Sequence, residues 1–233
     1  MRDILSFLTY VFLILIAFLI IWYGLRSHGI NQPISSYQTP LVKKLTQLSS
    51  NKTLVWTESK ITRERTLHTR FENSQWVVTN TGKSQRLDDF IKTESFTHLL
   101  LFFEVRSPKA LPALQKIFAE KNLWKKTVFC SRADGILKDL RALEAEWTFC
   151  SGEIFMTRSL AMTSLKLESL IDMTADVLYI HLDNLKPSFT VNNLILEAKR
   201  KNKLVLMGPV TRPLDGFDPH GWIVKTEDQK DSH

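Results

Sequence analysis

"HLLLFFEV" (98–105) is the stretch on which the fold turns. From Leu99 to Phe103 it is apolar without a break, and then Glu104 and Arg106 follow at once. A strand with one wet face alternates polar and apolar residues. An unbroken run implies that both faces are covered, as in a parallel sheet flanked by helices. Charged groups at the carboxyl end of such a strand stand where α/β barrels build their sites.

Similar short apolar runs recur along the chain. They are "TLVWTES" (53–59), "TVFCS" (127–131), "WTFCSG" (147–152), "ADVLYIH" (175–181), "KLVLMGP" (203–209) and "GWIVKT" (221–226). Amphipathic helical patterns lie between them. Leu111, Leu114, Ile117 and Phe118 share one face; Ile136, Leu137, Leu140 and Leu143 share another; Val191, Leu194, Ile195 and Ala198 share a third. With "WYGLRSHG" (22–29) as an eighth strand, this rhythm predicts an α/β fold, a (β/α)8 TIM-barrel-like domain. An open doubly wound sheet is the alternative. The chain has no glycine-rich phosphate loop, which argues against its nucleotide-binding form.

Residues 4–23, "ILSFLTYVFLILIAFLIIWY", carry no charge. Twenty helical residues span about 30 Å, the thickness of a hydrocarbon core. Trp22 and Tyr23 close the run with rings suited to the interface. A cleaved signal peptide would end in small residues before its cut. The sequence therefore predicts one transmembrane helix and a division into an anchor, residues 1–26, and a barrel domain, residues 27–233. The bilayer is the expected partner. Arg2 and the amino terminus on one side nearly balance Arg26, Lys43 and Lys44 on the other, so the side of the soluble domain is left open.

The net charge is +7, from 31 bases and 24 acids. Lys43-Lys44 and Lys199-Arg200-Lys201 suit anionic lipid or phosphate, although solvated helix ends are the plainer reading. No nucleic-acid partner is expected, and no protein partner is indicated. Cys130 and Cys150 make no metal-ligand pattern, and both sit in apolar surroundings that suit buried thiols.

In serial order the segments resemble the glycerophosphodiester phosphodiesterase family. Its (β/α)8 barrels carry His-Arg-Gly on the first strand and Glu-x-Asp on the second. A turn and a His-Asp pair follow, then Glu-Ile-Lys on the third strand. In this chain "SHG" (27–29) and "PISS" (33–36) take the first places, and "VWTESKITRER" (55–65) and "ENSQWVVTNTG" (72–82) the next. "FEVR" (103–106), "FCSRADGILKDLR" (129–141) and "HGWIVKTED" (220–228) follow in turn.

The departures fall on the chemistry. Ser27 takes the place of the first catalytic histidine, and a one-residue slip would put His28 there. Trp56 replaces a metal-binding glutamate, Glu58 the aspartate, and Glu72 the second histidine. Glu104 keeps its identity, and Arg106 keeps the lysine's charge. The resemblance thus implies vestigial metal ligands Glu58 and Glu104, and phosphate-binding groups Arg106 and Lys60. A divalent metal, Mg²⁺ or Ca²⁺, is implied if the protein is active, and none otherwise. It also implies a phosphodiester or phospholipid ligand and a part in lipid metabolism. His68 reads as a surface histidine; His181 ends a strand and could point into the site, although a structural or solvent role is the plainer reading. The expected protein is membrane-anchored and phosphodiesterase-like, a pseudoenzyme whose hydrolysis is reduced or lost. An active divergent phosphoric diester hydrolase on glycerophosphodiesters or lysophospholipids is the alternative. A single-pass binding or scaffold protein with an unrelated α/β domain is the third.

Overall fold

The computed structural model describes residues 2–30, 38–50, 53–57, 64–72, 74–80, 83–104, 110–120, 122–182 and 189–225. In chain order its helices are α1 (Arg2–Ile30), α2 (Pro40–Ser49), α3 (Leu87–Thr93), α4 (Leu111–Glu120), α5 (Asp134–Leu143), α6 (Glu153–Ser164) and α7 (Phe189–Arg200). Its strands are β1 (Leu54–Thr57), β2 (Glu64–Glu72), β3 (Gln75–Asn80), β4 (Lys83–Arg86), β5 (His98–Glu104), β6 (Thr127–Cys130), β7 (Thr148–Phe149), β8 (Val177–His181), β9 (Leu204–Val210) and β10 (Gly221–Val224).

Eight of these strands run parallel in the order β1-β2-β5-β6-β7-β8-β9-β10, and β10 pairs back onto β1. The step from β7 to β8 is made by the bridge between Cys150 and Val177. Each ring strand neighbours the next in the chain, which is the (β/α)8 topology, and the ring excludes an open doubly wound sheet. Strands β3 and β4 are an antiparallel insert built on the outer end of β2.

One expected strand is a helix, and one ring strand, like the two strands of the insert, was not expected. Residues 22–29 continue α1 to Ile30. The missing ring strand is β2, "ERTLHTRFE", which reads as polar because only one of its faces is covered. Leu67 and Thr69 are buried, whereas His68 and Arg70 are exposed. Arg65 is buried too; it pairs with Glu94 at 3.2 Å and lies 5.6 Å from the centre of the Phe90 ring.

The unbroken run of β5 is divided between two cores. Leu99, Leu101 and Phe103 point outward, among Leu111, Leu114 and Phe118 of α4 and the stacked rings of Phe129 and Trp147. Leu100 points inward with Leu54, Trp56, Val128, Val177 and Leu206. Helix α2 plugs the amino end of the ring with Leu41, Val42 and Leu45. Thr39 caps that helix and shares a 2.7 Å hydrogen bond with Thr148, the first residue of β7. The two cysteines also meet inside: Cys130 and Cys150 are joined as a disulfide across β6 and β7, not held as separate thiols.

Helix α1 is the one described helix long and apolar enough to cross a membrane. None of its apolar stretch Tyr10–Ser27 is buried against the barrel. Its carboxyl-terminal turns do touch the barrel. Trp22 Nε1 donates to Leu165 O at 3.1 Å, and Ser169 Oγ donates to Arg26 O at 3.3 Å.

Two predictions follow from this packing. A Cβ on Gly221 would come within 2.7 Å of the Trp56 ring and 3.0 Å of Leu54 O. Gly221→Ala should therefore cost about 1–3 kcal/mol in urea unfolding, and Trp56→Phe in the same chain should recover part of it. The second concerns acid. Burial, then Lys199, lowers His220 to about 4, and its Nδ1 accepts a hydrogen bond from Val205 N–H as only a neutral ring can. His98 is lowered in the same direction by burial, then by Lys44. The unfolded chain takes up these protons first, so stability is full above the ordinary histidine value, about 6.5. It should fall as pH drops from there toward about 4. Thermal melts of His220→Gln should lose part of that slope.

Candidate functional site

The carboxyl ends of the ring strands surround a cavity of about 920 Å³. Its floor is a row of rings. His68 on β2 stacks on Phe102 of β5 at 4.9 Å and 10°. Phe102 meets Tyr179 of β8 at 5.0 Å, and Tyr179 meets His181 at 5.8 Å. Tyr179 is fixed from two sides. Its hydroxyl donates to Gly208 O at 3.1 Å, and its N–H donates to Ser151 Oγ at 3.0 Å.

The rim carries the charge. Arg70, Arg132 and Lys225 line it, with Glu104 and Glu153. Glu104 stands in register with Arg70 on the neighbouring strand. Arg70 Nε is also 2.8 Å from Glu72 Oε1. One wall is apolar, formed by Met156 and Leu160 of α6 with Ile223 and Val224 of β10. The amino end of α6 is already satisfied: Asp134 accepts hydrogen bonds from Ile154 N–H at 2.9 Å and Phe155 N–H at 3.4 Å.

Of the residues expected at the site, Glu104 lines the cavity. Glu58, Lys60 and Arg106 lie outside the described residues. His28 is in the last turn of α1, and its side chain is likewise not described. Ser27, beside it, donates to Gly24 O at 3.0 Å within that helix. Trp56 is fully buried inside the ring on β1, the first ring strand, so the segment 55–65 straddles the first and second strands. Glu72 lies at the exposed hairpin end of β2, opposite Gln75.

His68, read from sequence as a surface residue, and His181, for which a structural or solvent role is the plainer reading from sequence, both line the mouth. The signal for His68 was its even spacing with Thr66 and Arg70. On a strand that spacing gives all three one face, and all three line the cavity. His181 ends a buried strand, where barrel strands present side chains to the mouth. In the ring, β2 and β8 stand four strands apart in either direction. The two histidines thus come from opposite sides of the barrel.

A hard divalent cation needs several oxygen donors. Among the described residues there is no group of three or more His, Cys, Asp or Glu placed to hold a metal ion. The described mouth carboxylates, Glu104 and Glu153, sit among three cations. This donor set does not fit such a metal.

No protein-family model matches the sequence, and no curated protein matches it. Solved structures do. The barrel is similar to a candidate glycerophosphoryl diester phosphodiesterase from Silicibacter pomeroyi DSS-3, with a TM-score of 0.52 and 10% identity. The match covers 74% of this chain and 89% of that one. A glycerophosphodiester phosphodiesterase from Agrobacterium tumefaciens matches with a TM-score of 0.49 and 10% identity, over 74% of this chain and 96% of that one. Another, from Parabacteroides distasonis, gives 0.49 and 13%, over 79% and 84%. The chain therefore has a glycerophosphodiester phosphodiesterase-like barrel fold. The reading of an unrelated α/β domain is set aside.

The ring floor gives one prediction. Tyr179→Phe removes the donor to Gly208 O. It should cost about 0.5–1.5 kcal/mol in urea unfolding and leave the secondary structure seen by circular dichroism unchanged.

Proposed function

We propose that this protein is a membrane-anchored, phosphodiesterase-like barrel that binds phosphodiesters at its mouth and hydrolyses them slowly or not at all. Residues 1–26 serve as the anchor segment and residues 27–233 as the barrel domain. The observation that carries the reading is the makeup of the mouth. Arg70, Arg132 and Lys225 surround a ring-floored cavity on a phosphodiesterase-like barrel. A phosphodiester bears one negative charge on two free oxygens. Arginine grips that pair with two parallel hydrogen bonds, and lysine adds a point charge. The apolar wall suits the organic arms of the diester. Arg106 and Lys60 are further candidates for the same anion. On this reading Glu104 and Glu58 are the vestigial carboxylates of a metal site.

Weak hydrolysis is the expectation because neither β1, the first ring strand, nor the residues 58–63 that follow it include a histidine, where the family's first strand ends in one. Losing one acid–base group costs about 10²- to 10⁴-fold. The opposed His68 and His181 support a second reading, an active and divergent hydrolase. One imidazole would take the proton of the attacking nucleophile, and the other would supply one to the leaving oxygen.

The disulfide supports a side for the barrel. Such bonds persist in oxidising compartments, so the barrel faces the exocytoplasmic space and the amino terminus the cytoplasm.

The test uses the full chain in detergent, with glycerophosphocholine and lysophospholipids, with and without Mg²⁺ or Ca²⁺. Binding should be seen by calorimetry, with turnover near background. Arg70→Gln and Arg132→Gln should each weaken binding roughly tenfold to a hundredfold, the loss of about 1.5–3 kcal/mol from a charge-assisted bond. Metal-dependent turnover abolished by Glu104→Ala would refute the vestigial reading. Turnover lost in both His68→Ala and His181→Ala would establish the second one. An absence of binding would end both.

A further inference from the structure

The place where α1 meets the barrel is the corner at the end of α6. Trp22 Nε1 donates to Leu165 O, and Arg26 O accepts from Ser169 Oγ. The Arg26 guanidinium lies 5.7 Å from the centre of the Trp22 ring. These contacts use the last turns of α1; from Tyr10 to Ile21 its side chains are exposed except the half-buried Ile16. The corner belongs to the amino end of the ring. Helix α6 descends from β7, and the turn Glu168–Leu170 leads into the start of β8. The mouth is at the other end: His181 is four residues beyond Val177 along β8, a rise of about 13 Å.

Two side chains at this corner are exposed. Leu165 is 61% exposed although it is large and apolar. Lys166 is exposed in a left-handed conformation, φ 55, that ends the helix. The neighbouring bases are already engaged. Arg200 and Lys201 pair with Glu197, and Lys201 also donates to Ser169 O and Ile171 O.

We propose that Leu165 and Lys166 form a bilayer-contact corner. It rests on the reading of α1 as a membrane anchor. Tryptophan rings settle at the membrane–water interface. The bond from Trp22 holds Leu165 at that same level, where its side chain enters the acyl boundary and the Lys166 ammonium meets lipid phosphates. The occupant is the phospholipid bilayer surface, because the corner is continuous with the one described helix fit to cross it. The amino end of the barrel then faces the lipid. The mouth is turned toward water, and its ligand arrives from solution instead of being drawn out of the membrane.

The test places the full chain in nanodiscs containing anionic lipid. An environment-sensitive fluorophore is attached in turn at Leu165→Cys, Lys166→Cys and Thr157→Cys; Thr157 lines the mouth. The native cysteines are buried and paired. Quencher-bearing lipids should reduce the signal several-fold at 165 and 166 and leave 157 near its lipid-free value. Equal quenching at 157 and 165, or none at any position, overturns the proposal. So does a blue shift at 165 without lipid quenching in a particle with two chains, which would mean that a second copy covers the corner. Alkaline carbonate extraction of the unlabelled chain tests the anchor separately. Retention without quenching sinks only the corner, whereas release sinks the anchor and the corner together.

Discussion

A two-residue strand closes this barrel, and the rest of the architecture depends on its being held. β7 contributes only Thr148 and Phe149 to the ring, too few backbone pairs to secure both neighbours. The shortfall is met by groups around it. Cys150 N–H donates to Phe129 O at 2.9 Å, Ser151 N–H to Val177 O at 2.8 Å, and Asp176 N–H to Phe149 O at 3.1 Å. The Asp176 carboxylate returns the contact by accepting from Phe149 N–H at 3.0 Å, and Arg141 Nη2 holds it at 2.8 Å. Burial pushes that carboxyl up from its ordinary value, with Arg141 opposing. The seam is therefore bought with a half-buried ion pair, a disulfide and a threonine bond to the plug. An uncovered edge at this point would leave unpaired backbone groups inside the protein.

The same seam builds the mouth. Ser151, the second residue after β7, orients Tyr179 through its hydroxyl, and Tyr179 supports Phe102 and His181. Phe102 in turn carries His68. A site assembled from side chains on β2, β5 and β8 thus keeps its shape only while the ring is closed at β7. This is why a short strand of little sequence content governs groups placed far from it in the chain.

Much of the fold was legible because burial leaves a plain mark on composition. β5, β6, β8, β9 and β10 are covered on both faces and read as continuous apolar runs. β2 was not legible, because its inner face is wet at the mouth and charged residues break the run. "WYGLRSHG" misled in the opposite way. Its apolar start resembles a strand, but it continues an uninterrupted helix, and no proline separates the two. The cysteines were misjudged for a related reason: apolar neighbours report burial and say nothing of pairing, which depends on β6 and β7 being adjacent.

The site was legible only where one residue sat on a visible strand. Glu104 was found because it ends the most apolar run in the soluble part. His68 was passed over because its strand was, and so was Arg70, which stands beside Glu104 in register. Reading motifs in serial order also assumed that the first strand preceded residue 30. Once the first ring strand is β1 and the second β2, the inward positions of the second strand are Thr66, His68 and Arg70, with no Glu-x-Asp pair among them. Among the described residues the mouth carries cations and rings and few carboxylates. On the proposed reading such a surface would attract a phosphate charge by itself, where a carboxylate cluster would need a metal to reverse its sign.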